Sequence, residues 1–113
     1  MPRTSPIASA IPEEVQEELL RLGRNIRTAR MRRRLRLVDL AERIGVSRYV
    51  LSDIEKGKAT TAVASYLGAL WALGLLDQMN DVGSPDRDEH GKALERVRSP
   101  KRARIVRALD DDF

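Results

Sequence analysis

The chain of 113 residues has no cysteine and a single histidine, His90, and its 21 Lys and Arg against 17 Asp and Glu leave a net charge of +4. This excludes a disulfide framework and thiol chemistry, leaves a zinc site short of ligands, and limits the core to that of one small domain with extensions. Charge is unevenly spread, with eight arginines and no acid over residues 21–36 and only Asp77 and Asp81 charged over residues 61–85. Such segregation suits one face for a polyanion and another for packing, although a solvated basic helix has the same composition. Residues 1–12 lack the apolar run of a signal peptide. Residues 62–76 are apolar but shorter than the roughly 20 residues that span a bilayer, so they read as a buried helix and the expected location is cytoplasmic.

In chain order, residues 1–11 carry Pro2, Ser5, Pro6 and Ser9 and read as a flexible arm. Pro12 suits a first helical turn, and Glu13, Glu14, Glu17 and Glu18 suit the positive end of a helix dipole. Leu19, Leu22, Ile26 and Ala29 recur at helical spacing, which predicts a helix over residues 12–33. A second helix is predicted over residues 37–44, with Leu40, Ala41 and Ile44 inward and Gly45 as its left-handed stop. Ser47 is a good N-cap for a third helix that carries Val50, Leu51 and Ile54 and stops at Gly57. A fourth helix is predicted over residues 62–73, capped by Thr61 and ended by Gly74, and a short fifth over residues 75–82. Residues 86–98 can form one more helix, with Ser84 as its cap and Gly91 as a weak point, and residues 101–113 form a tail. The predicted fold is all-α: a five-helix domain over residues 12–82, a helical extension over residues 83–100, an arm and a tail.

The informative unit runs over residues 40–58, LAERIGVSRYVLSDIEKGK. Ala41 is small where two helices cross, Gly45 makes a tight turn, Val46 and Leu51 fill the angle between the helices, and Ile54 anchors the third. Ser47, Arg48, Tyr49, Ser52 and Asp53 are left facing outward. This unit resembles the Xre-type, lambda-repressor-like helix-turn-helix family over residues 22–73, with Ala41, Gly45, Val46, Ser47, Leu51, Ile54, Glu55 and Gly57 in agreement. The resemblance implies binding to double-stranded DNA, with residues 47–56 entering the major groove. It also implies a structural ion pair between Arg30 and Glu55.

Arg48 is the foremost candidate for base reading, since a guanidinium can bond guanine O6 and N7 together; a phosphate clamp is the other role open to it. Tyr49 can stack on a thymine methyl, donate to a phosphate, or pack on the second helix. Asp53 can accept from cytosine N4 or orient Arg48. Ser52 can also reach the DNA. Phosphate contacts are expected from Arg32, Arg33, Arg34, Arg36, Lys56 and Lys58, and from Ser47 if it is more than a cap; such contacts set register without reading sequence. The chain departs from the family pattern at Arg36, where a Thr or Ser usually caps the second helix, and at Leu37, where a Gln is common. The second helix is therefore expected to be weakly capped.

Residues 62–76 hold more apolar surface than one helix buries in its own core, which makes Tyr66, Trp71, Leu75 and Leu76 candidates for a homodimer interface. A dimer would present two reading helices to a palindromic operator. Residues 66–77, with Pro85, Asp86, Arg87 and Asp88 and residues 100–104, resemble the HipB-like antitoxins, which repress their own operon and bind a HipA-like kinase toxin. A stand-alone regulator without a toxin is the alternative. Residues 104–109 could add a strand to a partner. No nucleophile–base pair, phosphate loop or metal cluster is legible, so neither enzyme activity nor a cofactor is expected.

Overall fold

The structure, a computed structural model, describes residues 10–98. The predicted tail, with the strand expected at residues 104–109, and all but the last two residues of the predicted arm lie outside the described residues. Every element among those described is helical. In order they are α1 (Glu13–Arg32), α2 (Leu37–Ile44), α3 (Arg48–Glu55), α4 (Val63–Ala72), a 3-10 helix (Leu76–Asp81), a 3-10 turn (Pro85–Arg87) and α5 (Glu89–Arg98). They fall into two compact units that divide between Asp77 and Gln78, five residues before the boundary expected from sequence.

In the first unit, α3 packs against α1, α2 and α4, and α2 also packs on α4. Its core is Ile26 and Ala29 of α1, Leu40 and Ala41 of α2, Leu51 and Ile54 of α3, Tyr66, Ala69 and Leu70 of α4, and Leu73. These positions keep the three- and four-residue spacing of helix faces. Ile26, Leu40, Leu51 and Ile54 are fully buried, each stabilising the fold by about 2 kcal/mol.

The helix starts differ in how they are capped. Ser47 Oγ accepts the Val50 N–H at 3.2 Å, so α3 is capped as its sequence predicts. The start of α2 is better supported than expected: the Arg36 N–H donates to Asp39 Oδ2 at 2.9 Å, which is half of a capping box. Thr61 does not cap α4; the helix begins one residue later, behind Ala62, without a side-chain cap.

The four helices close in one way. Each is followed by a residue in the left-handed region, Arg34, Gly45, Gly57 or Gly74. The next N–H then reaches back five residues: Leu35 to Arg30, Val46 to Ala41, Lys58 to Asp53 and Leu75 to Leu70. Because Leu75 is used in this closure, the predicted fifth helix cannot start at residue 75. The chain continues instead as the 3-10 helix Leu76–Asp81, in keeping with the shortness of that segment.

In the second unit, Asp88 rather than Ser84 caps α5, its Oδ1 accepting the Gly91 N–H at 2.8 Å. Ser84 precedes the separate turn Pro85–Arg87 and makes no side-chain cap bond. Gly91, expected as a weak point, is where that cap seats. Asp81 and Arg87 pair at 3.5 Å, and no side chain among the described residues of this unit is fully buried.

Candidate nucleic-acid interface

Leu51 and Ile54 fix α3 by its inner face, which turns its opposite face outward. Arg48, Tyr49 and Lys56 are exposed there, with Ser52 and Asp53 half-buried beside them. The helix is also tied by an ion pair. Arg30 Nε donates to Glu55 Oε2 at 2.7 Å and Nη2 to Oε1 at 3.0 Å, while Nη1 donates to the Leu35 carbonyl at 2.8 Å. The two side chains are only 11% and 7% exposed. Hydrogen bonding to Glu55 holds the Arg30 guanidinium above its ordinary range despite burial. One side chain on α1 thus joins the end of α3 to the turn that leads into α2.

On the outward face, Arg48 lies over Tyr49. Its guanidinium carbon is 5.1 Å from the ring centroid, and Nη2 donates to Tyr49 Oη at 3.1 Å. Tyr49 is 68% exposed, so the option that it packs on the second helix is not realised. Asp53 does not orient Arg48: its Oδ2 lies 3.6 Å from Lys58 Nζ. The reason is position, since Lys58 follows the closing turn at the C-terminal end of α3, where it can turn back to Asp53. Ser47 is the α3 cap, and its hydroxyl proton is still available to a phosphate.

The expected phosphate contacts are not equally free. Arg32, Arg33, Arg34 and Arg36 are all exposed. Arg33 Nη1 donates to the Ala29 carbonyl at 2.9 Å, at the end of α1. Arg36 is engaged with Asp39, Nε to Oδ2 at 3.2 Å and Nη2 to Oδ1 at 3.1 Å. Those bonds raise Arg36 and, with the backbone N–H, hold the Asp39 carboxyl below the usual aspartate range. Among the described residues, Arg32 and Arg34 make no ion pair. Arg34 sits at φ 54°, a left-handed conformation that costs a side-chain-bearing residue about 1 kcal/mol. A charge thus stands where glycine would be easier. Asp39 was missed from sequence, although its place three residues after the N-cap is the capping-box spacing.

The candidate dimer residues separate. Tyr66 is corrected to a core residue: it is 3% exposed, and its hydroxyl donates to the Lys58 carbonyl at 2.8 Å. Burial, and then the charge of Asp53, push its phenol up. Trp71 is 63% exposed, Leu75 is half-buried and Leu76 is exposed. Val63 and Leu67 stand eight and four residues before Trp71 on the same face of α4; Val63 is exposed and was missed from sequence. His90 is exposed, and no cluster of potential metal ligands occurs among the described residues.

A helix held by its inner face, offering Arg, Tyr, Ser and Lys outward beside an arginine-rich turn, defines a DNA-binding protein of the helix-turn-helix class. The chain belongs to the helix-turn-helix domain family, whose profile matches residues 21–79, more than half of its length. Comparison with curated proteins and with solved structures returns no match. No helix among the described residues is long and apolar enough to cross a membrane.

Proposed function

We propose that the protein is a sequence-specific transcriptional repressor of the Xre type, acting in the cytoplasm on a palindromic operator as a homodimer. It works by binding alone, without a cofactor or a catalytic step. The observation that carries this reading is the outward face of α3, where the exposed Arg48 guanidinium is held over Tyr49 at the N-terminal end of a helix clamped through Glu55. Pairing through the exposed Trp71 face of α4 would set two such helices about 34 Å apart, one turn of the duplex.

The finer reading is the antitoxin of a HipA-like kinase toxin that represses its own operon. It rests on the resemblance of residues 66–77, 85–88 and 100–104 to the HipB-like group. Footprinting the DNA upstream of the gene with the full chain tests the first part: a protected, two-fold symmetric site is expected, and Arg48→Ala should abolish the protection. Co-expression with the product of the adjacent gene tests the second. A kinase that co-purifies supports the antitoxin role, whereas a footprint without such a partner assigns a stand-alone regulator.

A further inference from the structure

Between α1, the start of α2 and the end of α3 lies an open cleft of about 230 Å³, lined by Arg27, Arg30, Leu37, Ser52, Glu55 and Lys56. Its charged lining is three cations against one carboxylate. The carboxylate is already used, because Glu55 accepts two hydrogen bonds from Arg30. Arg30 is used as well, with its remaining terminal nitrogen bonded to the Leu35 carbonyl. Their pair is therefore nearly neutral, and the excess charge comes from Arg27 and Lys56. Both are exposed, and neither makes an ion pair among the described residues. Lys56, the residue that ends α3, stands four positions after Ser52 and so on the same side of the helix, while Arg27 lies on α1, three residues before Arg30.

We propose that this cleft seats a phosphodiester of the DNA backbone, with Arg27 and Lys56 supplying charge and Ser52 a hydroxyl donor. The inference rests on the DNA-binding reading and deepens it by adding Arg27, a residue outside the turn at residues 32–36. Its chemistry is that of an anion site: two exposed cations and a hydroxyl line a space whose one acid is neutralised within the protein. A phosphodiester monoanion offers these donors charged oxygens, whereas a base edge is neutral and would leave the charge of Arg27 and Lys56 unbalanced. The Arg30–Glu55 pair, itself part of the lining, ties α1 to the end of α3, so it sets the separation of Arg27 from Lys56. A phosphate held there would fix the tilt of α3 in the groove without reading sequence.

The test is the salt dependence of binding of the full chain to a mixed-sequence 30-base-pair duplex, for wild type, Arg27→Ala, Lys56→Ala, the double variant, and Arg24→Ala as an exposed control on α1. Each phosphate contact contributes roughly 0.9 to the slope of log K against log salt. Arg27→Ala and Lys56→Ala should each lower the slope by up to about 1. The double variant should lose less than the sum of the two, since both act on one phosphate, and Arg24→Ala should match wild type. An Arg27→Ala slope equal to wild type, or additive losses, would overturn the shared seat while leaving DNA binding intact. A wild-type protein with no salt-sensitive binding would overturn the DNA reading as well. Millimolar inorganic phosphate at fixed ionic strength separates the two sources of the anion. Tight binding that disappears in Arg27→Ala would assign the cleft to a free anion, and no saturable binding supports the backbone.

Discussion

Arg30 and Glu55 show how a single ion pair can tie α3 to α1 and to the turn before α2. Both are nearly buried, and every guanidinium nitrogen of Arg30 has an acceptor. Removing Arg30 would strand the Glu55 carboxylate in that setting, so Arg30→Ala should cost about 3 kcal/mol, read from the midpoint of chemical denaturation. An unchanged midpoint would reduce the pair to surface ornament. Asp39 makes a different prediction. Its folded carboxyl titrates below the ordinary aspartate value because Arg36 bonds it through side chain and backbone. Its contribution is therefore complete above the ordinary value, and is lost as pH falls through the lower folded one. Melting wild type and Asp39→Asn from about pH 6 to about pH 3 should show the wild type losing its advantage over the variant in that acid window. The pairing of Arg30 with Glu55 was legible in sequence, whereas Asp39 carried only an unread capping-box spacing. The partner of Asp53 was not, because Lys58 reaches it only through the turn that closes α3.

At the scale of elements, starts and stops are written locally, and so most helix boundaries could be predicted. Ser47 and Gly45 act through neighbours within five residues, as helix caps do in general. The contact between α1 and α3 is another matter. A Cβ on Gly23 would stand 2.6 Å from the Ile54 and Glu55 carbonyl oxygens, and one on Gly57 would stand 2.6 Å from the Leu19 carbonyl. Both glycines are therefore required by close backbone approach. Alanine is a better helix former than glycine by about 1 kcal/mol, so local propensity alone says that Gly23→Ala should stabilise α1. The backbone contact reverses the sign: the variant should lose about 2 kcal/mol, as overpacked sites do. Thermal denaturation decides between them, and a higher melting temperature would show that the helices separate without cost. A glycine inside a helical pattern was the available signal, but it did not name the neighbour.

For the whole molecule, charge and apolar surface are divided in sequence much as they are in space. The arginines of residues 21–36 populate α1 and the turn after it, and residues 61–76 supply both core and an exposed apolar face. That face is the one the proposed homodimer would use. Trp71 and Val63 are 63% and 70% exposed, so Trp71→Ser should leave the stability of the isolated chain within about 0.5 kcal/mol while weakening self-association. Sedimentation across a dilution series would show this; an unchanged association constant would count against this face as the contact, and a monomer at every concentration would count against the proposed dimer. The amino-acid sequence by itself determined the all-helical class, the order of the helices, the turn at Gly45 and the residues on the outward face of α3. All of these depend on periodicity and capping within a few residues. Only the tertiary structure decided that Tyr66 faces inward, that Asp53 answers to Lys58 and that Arg27 meets Lys56 across a cleft. Each of those depends on how helices cross, and crossing is set by packing between residues far apart in the chain.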